Sequence, residues 1–253
     1  MGNIKDILKD FTPVFLKDMG KVSLMNRQDT KYVFTEDQLP SILNKLSEFY
    51  NILEIDGLRQ MSYSNVYFDT DDFIFYNNHQ RGKMNRYKIR NRRYDDSDLS
   101  FCEVKFKSNK SRTQKERKVI KELFSEFDQE SIEFLDKKSP VKVEALSAKL
   151  FMDFKRITLV HKTWQDRCTL DLALRANNET NEFEFKRIVI AEIKQEKFSP
   201  QCDFNLVLKS EKIYPKGFSK YCISMAKLYD TLKTNRFKPR LLMLDKLLEK
   251  TKL

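Results

Sequence analysis

The chain has 253 residues, of which 40% are hydrophobic and 34% charged, with 20 Phe and 10 Tyr against only 5 Gly and 6 Pro. That is enough length and aromatic content for a buried core, and it excludes disordered, low-complexity and linker-dominated chains. The 48 Lys and Arg against 37 Asp and Glu leave a net charge of +11, which calls for an anionic partner without distinguishing nucleic acid, lipid headgroup or phosphate.

At the amino end Ile4, Ile7, Leu8 and Phe11 recur at helical spacing. Lys5, Asp6, Lys9 and Asp10 interrupt them, so a short helix is expected and a secretory leader is not. No window approaches the ~20 apolar residues of a membrane span, and a cytoplasmic location is expected. A helix is predicted over 36–50, with Thr35 as its cap and Leu39, Ile42, Leu43, Leu46 and Phe49 as its apolar stripe. Similar stripes predict helices over 119–127, 141–151, 219–232 and 239–248. Between them, period-two alternation predicts strands over 27–34, 61–69, 85–94, 99–107, 154–161, 167–174 and 188–196. Strands in pairs with helices between the groups favour an α+β fold with a large antiparallel sheet over a doubly wound parallel one. With no linker and no repeat, a single domain over 1–253 is expected, its core at about 21–232. Cys102, Cys168, Cys202 and Cys222 form no C-x-x-C pair and only His79 and His161 are present, so zinc is not expected and the thiols read as free and buried.

The strand faces carry an unusual pattern. Arg86, Lys88, Arg90 and Arg92 share one face of 85–94, and Glu103, Lys105 and Lys107 share one face of 99–107. Arg156 lies with Thr158, Arg167 with Thr169 and Asp171, Glu192 with Lys194 and Glu196, and Arg27 with Asp29 and Lys31. A solvated outer face is the competing explanation. Against it, like charges in neighbouring same-side positions destabilise a sheet unless an anion neutralises them. If helices cover the apolar faces, the charged ones look elsewhere, and a sheet closed on itself turns them into a lumen. Such a lumen suits a polyanion, and its carboxylates suit a divalent metal bound with that polyanion. The cations are not interleaved with exposed aromatics, as single-strand nucleic-acid platforms require, nor grouped on one groove-reading helix. Nucleic acid is therefore not expected as a partner. The basic run 110–121 reads equally as a solvated loop or as part of the site.

The order of motifs resembles a known family. RQDTKY (27–32), RYKIRNRRY (86–94), FCEVKFK (101–107), KER (115–117), FKRIT (154–158), RCTLD (167–171), AEIK (191–194) and FSKY (218–221) occur in sequence. Together they look like the polyphosphate polymerase domain of the vacuolar transporter chaperone (VTC) family, a branch of the triphosphate tunnel metalloenzymes with a CYTH-like fold. The resemblance implies an antiparallel β-barrel, the triphosphate tunnel, with helices packed on the outside. It implies ATP, phosphate and polyphosphate as ligands, Mn²⁺ or Mg²⁺ as cofactor, and transfer of the γ-phosphate of ATP onto a growing chain. Carried over residue by residue, the tunnel cations are Lys31, Arg90, Arg92, Lys105, Arg156, Arg167 and Lys220. Lys88, Lys107, Lys115, Arg117 and Ser219 add substrate contacts, and Glu192 is the metal ligand with Glu103 as a second candidate. Asp171 is expected to orient Arg167 or cap a turn, and Ser219 is also a natural start for the following helix. The opening motif is R-x-D-x-K where the wider superfamily has E-x-E-x-K, and Phe154 stands where a Tyr is usual. The sequence shows no membrane domain, so coupling to translocation needs a separate membrane partner. A triphosphatase of the same fold and a non-catalytic polyphosphate or nucleic-acid binding module are the alternatives.

Overall fold

Alternation of apolar and charged side chains becomes a large antiparallel sheet. A computed structural model of the chain describes residues 4–22, 28–109, 113–123 and 126–250. Arg27, part of the first charged row, and 110–112 of the basic run lie outside the described residues. The first third holds α1 (Ile4–Ile7), β1 (Pro13–Phe15), β2 (Gln28–Thr35), α2 (Leu39–Leu46), β3 (Tyr50–Glu54), β4 (Met61–Asp69) and α3 (Ile74–Gln80). The middle holds β5 (Arg86–Tyr94), β6 (Leu99–Lys107), β7 (Thr113–Ile120), α4 (Gln129–Lys138) and β8 (Ser147–His161). The last third holds β9 (Arg167–Asn177), β10 (Glu182–Glu184), β11 (Ile188–Gln195), α5 (Asp203–Ser210), α6 (Lys220–Leu228) and α7 (Lys238–Lys250).

The main path of the sheet runs β2-β11-β9-β8-β4-β5-β6-β7, with every neighbouring pair antiparallel. Three apolar clusters show how it curls. Ile157, Leu159, Leu170, Val189 and Ile193 on one face pack with Leu39, Ile42, Leu43 and Leu46 of α2 and Phe204 and Leu208 of α5. Farther along the same face, Val66, Phe68, Ile89, Cys102 and Val104 pack with Leu135 of α4. The opposite face carries the charged rows. Its far end is apolar, where Val33, Met152, Leu174 and Ile190 meet Tyr221, Cys222, Met225 and Leu228 of α6. The sheet wraps around this face. Besides burial, the Lys105 ammonium of β6 feels Lys31 of β2 and Glu192 of β11, which stand at the other end of the strand order.

The expected α+β fold with a large antiparallel sheet is present, and two details of it differ from expectation. Not every helix lies outside, because α6 enters the concave side and closes one end of the interior with apolar packing. Among the described residues the ladder is also open, because no pairing joins β7 to β2. The free edge of β2 is met instead by a loop, where the Lys216 N–H donates to the Lys31 carbonyl at 2.7 Å. On the other side β7 exposes Lys115, Glu116 and Arg117, charges that disfavour further strand addition.

Three helix predictions also change. The described part of 119–127 begins as the end of β7, and the helix starts later at α4, where Asp128 accepts from the Ser131 N–H at 2.8 Å. The stripe in 141–151 is a short 3-10 turn at Val143–Ala145 followed by β8, paired with β4. The helix expected over 36–50 is shorter, at Leu39–Leu46, because the chain returns to the sheet at Tyr50. No helix among the described residues is long and apolar enough to cross a membrane.

Candidate active site

The concave face gathers its cations around three carboxylates, each set between at least two of them. Asp171 on β9 is nearly inaccessible and receives Arg156 from β8 in a two-pronged bond, Nε–Oδ1 2.5 Å and Nη2–Oδ2 2.8 Å. Lys220, the first residue of α6, also bonds Oδ2. Burial alone would raise the Asp171 pKa, but Arg156 and Lys220 outweigh it and hold the carboxyl well below the usual range. Glu103 on β6 accepts from Arg90 Nε and Nη2 at 2.7 Å through Oε2, and lies 2.5 Å from Lys115 Nζ through Oε1. Glu192 on β11 pairs with Lys194 on its own strand and with Lys31 across the ladder, the latter at 3.4 Å. Its side chain is 20% exposed against 2% for Glu103, so it reaches solvent inside the curl.

Cation–aromatic stacking supplies the second layer. Tyr63 stacks on Phe154 at 5.2 Å and 8°. The guanidinium of Arg156 lies 5.0 Å from the Tyr63 ring and 5.1 Å from Phe154, with Arg92 at 5.3 and 5.8 Å and the Lys220 ammonium 5.0 Å from Phe154. Arg92 donates from Nε to Asn65 Oδ1 at 2.8 Å, and Asn65 in turn donates to the Met152 carbonyl. Tyr67 accepts from Arg90 Nη1 at 3.0 Å. Burial would raise its pKa, but Arg90, Arg92 and Lys220 pull it down to about 8.

The end of α6 points into this group. Ser219 caps it by accepting from the Cys222 N–H, and Lys88 Nζ donates to the same hydroxyl at 2.9 Å. Lys31 Nζ donates to the Phe218 carbonyl at 3.0 Å. Tyr221 fixes the helix from below by donating to Asp69, which also accepts the Thr70, Phe75 and Tyr76 N–H groups at 2.9 Å.

Lys31, Lys88, Arg90, Arg92, Arg156, Ser219 and Lys220 thus meet around one interior. Arg167 lies on the same face, opposite Lys194. Lys105 stands between Lys88 and Lys115 in the ladder, with Lys107 at the exposed end of β6. Arg117 is exposed, stacked 4.5 Å from Phe101. Asp171 engages Arg156 and Lys220 rather than only orienting Arg167 or capping a turn. Glu103, the second metal-ligand candidate, is ion-paired with Arg90 and Lys115. The phenol missing at Phe154 has a neighbour of the same kind in Tyr63. Tyr63, Asn65, Tyr67 and Lys194 were not singled out from the sequence. The first three lie on β4, which has no charged row to mark its inner face, and Lys194 stood in the sequence only as a face-mate of Glu192.

A family model describing the VTC domain matches residues 26–229. The chain belongs to the VTC-domain family. No protein of curated function matches it in sequence. Among solved structures, a candidate adenylate cyclase from Bacillus halodurans is similar at 12% identity and a TM-score of 0.47, covering 78% of this chain and 96% of that one. A candidate adenylyl cyclase from Hippeastrum, with a dominant triphosphatase activity, is similar at 13% identity and a TM-score of 0.47 over 81% of this chain and 97% of that one. The PH1819 protein of Pyrococcus horikoshii matches at 13% identity and a TM-score of 0.45, over 79% of this chain and 96% of that one. Within this VTC domain the motif-bearing strands β2, β5, β6, β8, β9 and β11 all lie inside the matched range.

Proposed function

We propose that this VTC domain transfers the γ-phosphoryl group of ATP to phosphate or to a growing polyphosphate chain held on its concave face. The observation that carries the reading is the gathering of Arg92, Arg156 and Lys220 on the stacked rings of Tyr63 and Phe154, with Arg90 on Tyr67 farther along the same strand as Tyr63. Phosphoryl transfer asks little covalent work of side chains. It asks for in-line positioning and for neutralisation of charge on the transferring group. Arginines serve nonbridging oxygens bidentately and lysines act as compact charges. Here Asp171 and Glu103 hold Arg156 and Arg90 in fixed orientation before substrate arrives, so little reorganisation remains for the reaction itself. An incoming triphosphate binds the edges of the guanidinium groups that the carboxylates leave free and shares their charge with them.

A divalent metal fits this site in one limited way. Among the described residues no group of three or more His, Cys, Asp or Glu side chains forms a cage. Glu103 has both oxygens engaged by Arg90 and Lys115 and does not fit as a ligand. Glu192 has Oε1 held by Lys194, but it is more open and its Oε2 is only loosely paired with Lys31, so that oxygen fits as a lone carboxylate ligand for a hard cation that takes its other ligands from phosphate and water. Such an ion, when bound, neutralises charge on the phosphate oxygens.

Incubation of the protein with ATP and Mn²⁺ tests the proposal by its products. ADP together with acid-labile phosphate chains is expected. ADP with free phosphate and no chains would make the site a triphosphatase, and no turnover would reduce it to a binding module.

A further inference from the structure

The interior answers part of its charge with three carboxylates, whereas the rim around the start of α6 has none among its paired side chains. Segments 73–94, 212–229 and 231–244 contain no Asp or Glu, and the fold brings them together. Lys216 bonds through its N–H to Lys31, inside the curl. Next to it, the Gly217 carbonyl accepts from Arg240 Nε, and Arg240 Nη1 donates to the Arg236 carbonyl at 3.1 Å.

The Arg236 guanidinium lies against Gly82, in the space that a Cβ there would fill. Gly82 also has φ +70°, a backbone state that glycine adopts at no steric cost. Three residues earlier, the His79 ring lies 6.0 Å from that of Phe237, the residue after Arg236. Burial and the surrounding Lys88, Arg86 and Lys107 keep His79 neutral. Arg86 and Lys107 face each other across the β5–β6 ladder, and Lys88 leads back to Ser219. The path of contacts starts and ends in the interior.

Among the described residues, Arg86, Lys107, Lys216, Arg236 and Arg240 have no carboxylate partner. Glu103, Asp171 and Glu192 are each shared by at least two cations, so the interior keeps an excess of positive charge and the rim extends it outward. Unneutralised cations that continue a phosphate-binding interior favour an anion that is longer than the interior can hold.

We propose that this rim is a second binding site, a collar that holds the part of a linear polyphosphate chain extending beyond the concave face. The inference rests on the proposed function for the identity of the anion, and on the contact path for its place. Counter-ion release on binding makes collar affinity salt-dependent, in proportion to the number of cations engaged. ATP and tripolyphosphate, at three phosphates, have no further chain to extend onto the collar.

The test compares tripolyphosphate with polyphosphate of several tens of residues, by calorimetric titration at two salt concentrations. The proteins are the full chain, an Arg236→Ala/Arg240→Ala variant, and Arg236→Glu, which leaves the Arg240 contacts in place. Long chains are expected to bind the unaltered protein at least tenfold more tightly than tripolyphosphate. Both variants should lose about tenfold toward long chains, with a shallower salt dependence, and nothing toward tripolyphosphate. Equal affinities of the unaltered protein for the two ligands, unchanged long-chain binding in Arg236→Glu, or an equal loss for both ligands would overturn the collar. So would a loss confined to single-stranded RNA or to vesicles containing phosphatidylserine, which would assign the rim to those partners. Failure of tripolyphosphate to bind the unaltered protein would sink the interior reading alone, since long-chain binding lost in both variants would still place a polyanion on the rim.

Discussion

Replacing Asp171 by Asn separates the two roles that its charge plays. In the folded protein this carboxylate takes both prongs of Arg156 and the ammonium of Lys220. The amide side chain would keep the shape and one carbonyl acceptor but leave two buried cations without a counter-charge. Breaking a buried pair from one side costs about 3–5 kcal/mol, and the surviving acceptor places Asp171→Asn near the lower end. The same change removes the anion that competes with a triphosphate for Arg156 and Lys220. Each hydrogen bond to a charged group is worth about 1.5–3 kcal/mol, so freeing even one raises anion affinity about tenfold or more. Urea unfolding should therefore show a variant destabilised by about 3 kcal/mol whose deficit against the parent shrinks by about 1.4 kcal/mol in saturating tripolyphosphate, the worth of a tenfold tighter site. For comparison, a ligand at 100 times its Kd contributes about 2.7 kcal/mol to either protein. A variant as stable as the parent without anion, or one that binds tripolyphosphate more weakly, would refute the idea that Asp171 shares its cations with the bound anion.

Other outcomes follow from the same geometry. Glu192→Gln should abolish Mn²⁺-dependent turnover in a protein that still folds but is less stable, because Lys194 is left buried without its counter-charge; unchanged turnover would remove Glu192 from metal binding. Tripolyphosphate affinity should fall as pH rises through about 8, where burial has brought Lys220 down despite Asp171, and where Tyr67 begins to ionise. The Tyr67 pKa is depressed in the folded state relative to about 10 in the unfolded chain. The native protein therefore binds fewer protons between these values, and this group's contribution to stability grows from pH 8 to 10 and is lost as pH falls through 8. Absorbance of the phenolate should show one early-titrating Tyr that Tyr67→Phe removes; a first titration near pH 10 would contradict it.

Much of this site was legible as parity. A period of two puts Arg86, Lys88, Arg90 and Arg92 on one face whatever the tertiary fold, and their neighbours Ile89 and Val104 on the other. What parity cannot give is the partner across a ladder. Asp171 meets Arg156 because β8 and β9 pair in a register with an irregularity between Asp153 and Lys155, and no local pattern announces that shift. The position of α6 was also hidden, since an apolar stripe says that a helix packs but not on which side of a sheet. Its Tyr221–Asp69 bond spans most of the chain, and such contacts leave no trace in a window of sequence. The stripes over 119–127 and 141–151 misled for a related reason. Ile120, Phe127, Val143 and Leu146 gather in one cluster, but they reach it from a strand end and turns rather than from helices.

The proposed mechanism requires that cations from distant strands of the sheet serve one anion. Calorimetric titration of tripolyphosphate into the parent protein, Lys31→Ala on β2, Arg90→Ala on β5 and the double variant measures this directly. One binding event is expected, weakened by roughly 1.5–3 kcal/mol in each single variant, with a further loss in the double variant. Full parental affinity in either single variant, or two independent events in the parent, would show that the cationic rows do not share a ligand.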